Sequence, residues 1–342
     1  MRQGLQAGTL LRDRYEILGL IGQGGMGAVY KAADRRLPGR LCALKEILPP
    51  PGISGKTLDQ AREQFLREAS TLARLDHANL PKVSDYFTVP PSSAGEQAVD
   101  RDPLDVARDY LVMDYVPGRD LHQVIQESCR DGQFLDERHL LGWMAQLCDA
   151  LSYLHGQDPA VLHRDVKPGN VKLTPDGRIK LVDFGLVKPL DPEDPNTLTG
   201  MRGIGSLPYT PIEQSAGELG HTDARSDIYA LGATLYHLLT GRSPASAQDR
   251  FLEPEALVSP RKINPAISPG VERAVLAAMA LHPRERPESV AVWRRMLLGD
   301  AATIPVAAYP QEMGWGQALR ANRWLLLLAI AAVATAVFLT FF

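Results

Sequence analysis

The sequence has few cysteines and almost no net charge, and each shortage argues against a class of protein. Cys42, Cys129 and Cys148 are the only cysteines among 342 residues, and no two of them form a CxxC pair. This spacing argues against a disulfide scaffold or a zinc site and fits a reducing compartment. The 37 basic and 40 acidic side chains give a net charge of −3, which provides no basic surface for general binding of nucleic acid.

An apolar run is also absent from the first 14 residues, so we expect no secretory signal. The other end differs, because residues 324–342 carry no charge and only two threonines. A helix of this length would just cross the hydrocarbon core of a bilayer, although a buried helix of a soluble domain is the alternative. Arg320 and Arg323 precede the run. The positive-inside rule therefore predicts a single-pass helix in the cytoplasmic membrane, with the bulk of the chain in the cytosol.

The rest of the chain changes from strand-rich to helix-rich. Apolar runs on either side of a glycine cluster predict two strands within residues 15–30, and a further apolar segment follows at 41–48. The capping-box spacing of residues 57–60 predicts the start of a helix. Residues 88–109 contain prolines and excess carboxylates, which predicts a mobile surface loop. Later, apolar periodicity predicts helices over 140–154, 228–239, 271–281 and 290–298, and the second of these should be buried nearly all round.

The segment Gly22-Gln23-Gly24-Gly25-Met26-Gly27 has GxGxxG spacing, which dinucleotide-binding folds share. Their glycine-rich turn leads into a helix, whereas residues 28–30 continue here as a strand. The pattern therefore predicts a glycine-rich hairpin whose backbone N–H groups can close over phosphates. A bare hairpin turn is the alternative for this segment taken alone.

A lysine and a glutamate have the pattern of a buried ion pair. Lys45 lies inside a predicted apolar strand. The alternative for a single lysine in a strand is that the strand lies at the sheet edge and the lysine faces water. Glu68 shares one predicted helix face with Phe65 and Leu72. A carboxylate on that face needs a cationic partner, because an unpaired buried charge is costly. Lys45 is the candidate partner.

The string HRDVKPGN at residues 163–170 is the most specific feature of the chain. It is followed by a short predicted hairpin and then by Asp183-Phe184-Gly185. Two aspartates and an asparagine on loops around one hairpin can hold metal ions and orient a hydroxyl group. Together these motifs resemble a bacterial Hanks-type Ser/Thr protein kinase over about residues 15–298.

The resemblance implies an α+β fold of two lobes: a small β-rich N-lobe with a five-stranded sheet and one helix, and a larger helical C-lobe. We expect an N-terminal tail at 1–14, the N-lobe at 15–116 and the C-lobe at 117–299. A juxtamembrane linker at 300–323 and the transmembrane helix at 324–342 would follow. The implied reaction is transfer of the γ-phosphate of ATP, with Mg²⁺, to serine or threonine hydroxyls of proteins.

The resemblance also assigns residues to the ATP site. Gly22, Gly24 and Gly27 would cover the phosphates, and Lys45, held by Glu68, would contact the α- and β-phosphates. Val29 and Ala43 would pack on adenine, with Met113 as the gatekeeper beside a hinge that runs from Asp114 to Val116. Lys172 stands where the family has an apolar residue, so its aliphatic stem would support adenine.

Other residues would carry the chemistry. Asp165 would accept or orient the proton of the substrate hydroxyl, and Lys167 would support the γ-phosphate. Asn170, which completes the catalytic set, and Asp183 would bind Mg²⁺. Asp227 would hold the catalytic loop from below, and Glu213 and Arg286 would form a buried pair that anchors the activation segment.

Arg164 before Asp165 resembles kinases that are switched on by phosphorylation, with Thr197 and Thr199 as the candidate acceptors. The expected partners are protein substrates and membrane lipid. Autophosphorylation between two copies of the chain would add a second copy, in a homodimer. The motif departs from the family at residues 211–213, which read PIE instead of APE, and at Ser206, where a threonine is common. A pseudokinase scaffold and a small-molecule kinase are the alternatives, but no catalytic group is missing.

Overall fold

A computed structural model describes residues 4–24, 27–47, 56–90, 107–183, 204–215 and 222–299. They belong to one compact unit that spans Met1–Val306. A β-rich N-terminal part, the N-lobe, is followed along the chain by a helical part, the C-lobe. This succession confirms the two-lobed architecture that the motifs implied.

The N-lobe contains one antiparallel sheet in the order β1-β2-β3-β4-β6-β5. Its strands are β1 (Leu10–Leu11), β2 (Tyr15–Gly24), β3 (Gly27–Asp34), β4 (Leu41–Ile47), β5 (Val83–Val89) and β6 (Arg108–Asp114). The family resemblance implied five strands, and the described part of this sheet has six. The difference is β1, which pairs Leu10 with Glu16 and Leu11 with Tyr15. The sheet therefore begins before residue 15, inside the predicted tail.

The two faces of the sheet differ because side chains alternate along each strand. In β3 every second residue is buried, and Tyr30 and Ala32 are among them. Tyr30 packs into an apolar cluster with Tyr15, Leu44 and Tyr110 on what we call the outer face of the sheet. The opposite face carries Lys45, which reaches a carboxylate of the C-lobe.

Helix α1 (Lys56–Ala73) follows the sheet's first four strands. It begins at Lys56, so Thr57 lies inside the helix and not at the N-cap position that its capping-box spacing predicted. Phe65 and Leu72 are buried, as their spacing predicted, and the ring of Phe65 lies 5.4 Å from that of Tyr86. Burial of this apolar stripe attaches the helix to the sheet.

The C-lobe is built around helix α5 (Ala224–Thr240). Its residues from Ser226 to Thr240 are all buried, as the all-round apolar pattern predicted. The helix ends at Gly241, whose φ of +67° is a left-handed conformation that favours glycine. Around it lie α2 (Leu121–Arg130), α3 (Glu137–His155), α4 (Ile212–Ser215), α6 (Ala247–Leu252), α7 (Pro260–Ile263), α8 (Pro269–Ala278) and α9 (Val290–Leu298).

Several sequence-based boundaries differ from those of the structure, since α3 and α5 begin three and four residues before their predicted starts. Strands β5 and β6 extend into the predicted loop at 88–109, because residues 88–89 and 108–109 pair with each other across the sheet. Helix α8 ends at Ala278, three residues before the predicted end, and Met279 is its C-cap. Met279 is nevertheless buried, so the apolar pattern continues past the end of the helix.

Within the described ranges, no helix is both long and apolar enough to span a bilayer. Residues 300–342, which include the predicted linker and the predicted transmembrane helix, lie outside those ranges.

Candidate active site

A second, three-stranded sheet positions the HRD loop, our name for residues 163–170. Its strands are β7 (Arg119–Asp120), β8 (Val171–Leu173) and β9 (Ile179–Leu181). Buried Val171 and Leu181 pair across β8 and β9. The HRD loop ends in a 3-10 turn at Pro168–Asn170, which leads directly into β8. The loop and Asp183 therefore flank the β8–β9 hairpin.

The carboxylate of Asp165 is the centre of a hydrogen-bond set inside the HRD loop. Its Oδ2 accepts hydrogen bonds from Lys167 Nζ and Asn170 Nδ2, both at 2.8 Å. Asn170 Nδ2 also donates to the backbone oxygen of Asp165 at 2.8 Å. Lys167 Nζ reaches Ser206 Oγ at 2.9 Å, on the segment that returns from residue 204. These contacts fix one carboxylate beside an ammonium group and a hydroxyl group.

Asp227 of α5 holds the backbone of the HRD loop. Its two carboxylate oxygens accept hydrogen bonds from the N–H groups of His163 and Arg164, at 2.9 and 2.7 Å. The Nε2 atom of His155 lies 2.9 Å from Asp227 Oδ2. Burial alone would raise the pKa of Asp227, but the hydrogen bond and charge of His155 lower it below its ordinary value.

Lys45 and Asp183 connect the two lobes. Lys45 Nζ donates to Asp183 Oδ1 at 2.9 Å. The nearby ammonium lowers the pKa of Asp183 against the opposing effect of desolvation, so this carboxyl is ionised at neutral pH. Glu68 lies in α1, but its side chain is outside the described residues, as are Phe184 and Gly185.

The three glycines of the GxGxxG segment lie on the β2–β3 hairpin. Gly22 pairs with Val29, and Gly24 pairs with Gly27 across the strands. Gly27 has a φ of +138°, and a Cβ atom there would lie 1.9 Å from the carbonyl oxygen of Glu46. Only glycine fits this position. Gly25 and Met26, at the tip, lie outside the described residues.

The residues assigned to adenine lie on neighbouring strands. Val29 pairs with Lys45, and Ala43 pairs with Met113 of β6. Met113 is buried and directly precedes Asp114, whose carboxylate accepts a hydrogen bond from the backbone N–H of Lys82 at 3.3 Å. Val116 follows the end of β6, where the chain passes from one lobe to the other.

Lys172 lies in β8, and its ammonium group faces Asp120 of β7. Its Nζ is 3.5 Å from Asp120 Oδ2. Asp120 is at the same time the N-cap of α2, where its side chain accepts from the N–H of Gln123. The ammonium group of Lys172 is therefore paired with Asp120 within the three-stranded sheet. Its uncharged aliphatic stem lies beside the β8–β9 hairpin.

Glu213 and Arg286 form a buried, bidentate ion pair. Arg286 Nη1 lies 2.6 Å from Glu213 Oε1, and Nη2 lies 3.0 Å from Oε2. Ser226 Oγ also donates to Glu213 at 2.8 Å. Burial opposes ionisation of Glu213, but the hydrogen bonds and charge of Arg286 lower its pKa below the ordinary value. The pair ties the start of α4 to the loop before α9.

Sequence reasoning missed two polar contacts near the site. Tyr209 Oη lies 2.6 Å from His237 Nδ1, between the segment after residue 204 and α5. Glu46, next to Lys45, is buried among hydrogen-bond donors of the N-lobe. Glu46 could have been found from the sequence, because a glutamate within an apolar strand indicates a buried carboxylate that needs hydrogen-bond donors. Nothing local pairs Tyr209 with His237, because they are distant in sequence.

The oxygen donors near the HRD loop suit a magnesium ion. Among the residues that the structure describes, no three His, Cys, Asp or Glu side chains cluster as ligands for a metal ion. Asp183 and Asn170 nevertheless offer oxygen donors beside the HRD loop. Magnesium is commonly bound by one or two such groups together with substrate phosphates, so these residues fit it.

Comparison with known proteins agrees with this geometry. The family model described as "Protein kinase domain" matches residues 15–274. The serine/threonine-protein kinase PksC of Streptomyces coelicolor is 34% identical over 312 residues, which are 89% of this chain and 52% of PksC. PknA of Mycobacterium tuberculosis is 33% identical over 292 residues, which are 83% of this chain and 60% of PknA.

The chain thus spans little more than half the length of these relatives. A crystal structure of the PknI kinase domain from Mycobacterium tuberculosis superposes with a TM-score of 0.62 at 28% identity. It covers 86% of this chain and 98% of the PknI domain. The family match, the two lobes and the HRD loop lead to one conclusion: the chain belongs to the protein kinase family, as a serine/threonine protein kinase domain of the bacterial type.

Proposed function

We propose that this chain transfers the γ-phosphate of Mg-ATP to serine and threonine hydroxyls of proteins. One observation carries the proposal: the hydrogen-bond set that joins Asp165, Lys167, Asn170 and Ser206. In it, the ammonium group of Lys167, which can bind a phosphate, joins the Asp165 carboxylate to Ser206 on the segment that begins at residue 204, and Asp165 can accept a proton. Phosphoryl transfer requires these groups, because its catalysis is mostly positioning and neutralisation of charge.

ATP lies in this proposal between the lobes. The glycines Gly22, Gly24 and Gly27 cover its phosphates, and Val29 and Ala43 pack on adenine. Asp114 and Val116 contribute backbone groups to the adenine edge. Lys45 contacts the α- and β-phosphates with Glu68 as its second partner, and its present ion pair with Asp183 keeps the ammonium in the cleft.

Magnesium, when bound, neutralises the charge that develops as the phosphoryl group moves. Asn170 and Asp183 are the residues that would hold it. The substrate hydroxyl oxygen attacks the γ-phosphorus, the bond from this phosphorus to the β–γ bridging oxygen breaks, and ADP leaves. Asp165 accepts the hydroxyl proton, while Lys167 holds the γ-phosphate oxygens.

Regulation by phosphorylation is part of the proposal. The buried Nε of Arg164 has no hydrogen-bond partner among the residues that the structure describes. A phosphate on Thr197 or Thr199, both outside the described ranges, would supply that partner and order the segment before Glu213. Transfer between two copies of the chain provides the phosphate.

Anchoring to the cytoplasmic membrane completes the proposal. The support is the uncharged run at 324–342 with Arg320 and Arg323 before it. Residues 300–323 link it to the domain. Expression of the full chain and of a chain that stops at residue 323, followed by carbonate extraction of membranes, tests this point. The full chain should stay in the pellet, and its extraction together with the short chain would contradict anchoring.

The test of activity measures labelled phosphate transferred from [γ-³²P]ATP by the full chain, to itself and to a generic basic protein. We expect label on serine and threonine, dependent on Mg²⁺ and lost in Asp165→Asn. The matched control is Asp149→Asn, an exposed aspartate of α3. If the wild type binds ATP but transfers nothing after phosphorylation by another kinase, the chain is a pseudokinase scaffold.

A further inference from the structure

Glu46 is a buried carboxylate one residue after Lys45, and the two side chains lie on opposite faces of β4. Lys45 reaches Asp183 between the lobes, whereas Glu46 enters the outer face of the sheet. Its side chain is 4% exposed. A carboxylate this buried is retained in a fold only when donors surround it.

Three donors satisfy Glu46. Arg108 Nη1 and Tyr110 Oη approach its Oε1 at 2.9 and 3.2 Å, and Tyr30 Oη donates to its Oε2 at 3.1 Å. Burial alone would lower the pKa of the Arg108 guanidinium, but Glu46 raises it above its ordinary value. The carboxylate is thus fixed at both oxygens by groups from β3 and β6.

The backbone of Glu46 also contacts the glycine-rich hairpin. Gly27 lies so close to the Glu46 carbonyl that it has no room for a Cβ atom. Val29, two residues later, pairs with Lys45. Any shift of Glu46 therefore moves both the hairpin and the lysine, because packed strands do not deform independently.

The first described residues of the chain reach the same cluster. The backbone N–H of Leu5 donates to Tyr30 Oη at 3.1 Å, and the Leu5 side chain packs on the outer face. Gly8 and Thr9 hydrogen-bond to Ile17 of β2 before the chain enters β1. We call residues 4–11 the N-terminal strap. The Tyr30 hydroxyl accepts from the strap and donates to Glu46, so it connects the two.

We propose that Glu46 is a positioning residue for ATP binding, and that the N-terminal strap completes its hydrogen-bond set through Tyr30. The strap lies on the outer face and contacts β2 and β3, the hairpin that carries Gly27. Through Tyr30 and Glu46 it is connected to β4, the strand that carries Lys45. Docking of the strap therefore sets the affinity for ATP without touching it. This inference rests on the proposed function in that Lys45 and Gly27 are taken to bind ATP phosphates.

The test compares full-length variants in two assays: equilibrium binding of a fluorescent ATP analogue with Mg²⁺, and KM and kcat for phosphate transfer. Tyr30→Phe keeps the buried ring but removes both hydrogen bonds. We expect it to raise Kd and KM for the nucleotide about fivefold, because only part of the energy of the lost bonds is transmitted to the ATP site, with kcat within about twofold. Glu46→Gln should raise them further, because the charge facing Arg108 is lost.

Removal of residues 2–8 tests the strap itself. It should raise Kd in the same direction but by no more than Tyr30→Phe does, because the bond from Tyr30 to Glu46 remains. The two changes combined should add nothing to the effect of Tyr30→Phe, which already breaks the connection to the strap. The matched control is Tyr15→Phe, which removes the buried hydroxyl of another tyrosine of the cluster, one that donates to Asp85 at 2.7 Å. Within the described residues, Tyr15 makes no hydrogen bond to Glu46. The nucleotide Kd of this variant should stay at the wild-type value.

Two results would overturn the proposal. One is a Kd for folded Tyr30→Phe within about 1.5-fold of wild type, and the other is an equal increase in Tyr15→Phe, which indicates a general loss of rigidity. If Tyr30→Phe does not fold, the shortened chain, which keeps every buried residue of the cluster, decides the question. Failure of the proposed function gives a different result. A wild type that transfers no phosphate would contradict the proposed function, whereas the Kd differences between variants can be measured without transfer and test this inference.

Discussion

Asp227 accepts a 2.7 Å hydrogen bond from the backbone N–H of Arg164, a residue whose φ is +64°. This left-handed conformation is uncommon outside glycine and costs about 1 kcal/mol or more. The hydrogen bond to the Asp227 carboxylate compensates this strain. Asp227 lies in the buried helix α5, 63 residues later in the sequence. The HRD loop therefore has its shape because α5 supplies an acceptor for it.

Asp227→Asn should weaken both stability and phosphate transfer. In the wild type, each carboxylate oxygen accepts one backbone N–H, from His163 and from Arg164. The asparagine amide has only one oxygen, so its NH₂ group would face one of these N–H donors. We expect a loss of about 3 kcal/mol in the free energy of unfolding and a fall in kcat of about tenfold or more. Urea denaturation and labelled-phosphate assays measure the two effects. Exposed Asp149→Asn is the control, and equal effects in both variants would contradict this role.

Two ion pairs of equal length should differ in strength. Arg286–Glu213 and Arg67–Glu63 both have N–O distances of 2.6 Å, but the first is buried and the second is 74% and 64% exposed. Glu213→Gln leaves a buried guanidinium without its charge partner and should cost about 3 kcal/mol. Glu63→Gln should change the free energy of unfolding by less than about 0.5 kcal/mol. Chemical denaturation of both variants measures the difference, and equal losses would show that burial does not decide it.

Much of the fold could be predicted because the relevant signals are local. The β2–β3 hairpin follows from apolar runs on either side of a glycine cluster, and α9 begins and ends at the residues that its periodicity indicated. Strand β1 could not be predicted, because two residues carry no periodicity. It exists because Leu10 and Leu11 find partners in β2 after the chain reverses.

The candidate site divides in the same way. The HRD loop and Asp183 are close in sequence, so a short hairpin brings them together. The Glu46 cluster instead depends on residues up to 64 positions away, and its tyrosines resemble ordinary core residues in the sequence. The contact of Tyr209 with His237 has the same origin. Such pairs are set by helix and strand packing, which a one-dimensional pattern does not contain.

Magnesium should control how strongly ATP stabilises the chain. At a nucleotide concentration of about 100 Kd, binding adds about 2.7 kcal/mol to the free energy of unfolding. We expect Mg-ATP to raise the melting temperature, EDTA to remove most of that rise, and Asp183→Asn to abolish the part that depends on Mg²⁺. Differential scanning fluorimetry measures all three.

The control for the magnesium prediction is Asp176→Asn, in the exposed turn between β8 and β9. It should retain the full response to Mg-ATP. An Asp183→Asn chain that still responds to Mg²⁺ like the wild type would show that another group holds the ion.

His237 should make the protein less stable in mild acid. Burial, with a smaller contribution from His122, lowers the pKa of His237 from 6.5 to about 4. The unfolded chain therefore takes up a proton near pH 6.5, whereas the folded chain resists it until about pH 4. Stability falls as pH falls through this window, because the unfolded state binds more protons there.

Between pH 7 and pH 5 this one group should remove about 2 kcal/mol from the free energy of unfolding. His237→Gln can keep a hydrogen bond to Tyr209 and has no titrating proton, so its stability should fall less than that of the wild type over the same range. Urea denaturation at pH 7, 6 and 5 gives the comparison, with His282→Gln, at an exposed histidine, as the control. If the pH slope of His237→Gln equals that of the wild type, another buried histidine, such as His163, accounts for the acid sensitivity, because burial lowers its pKa as well.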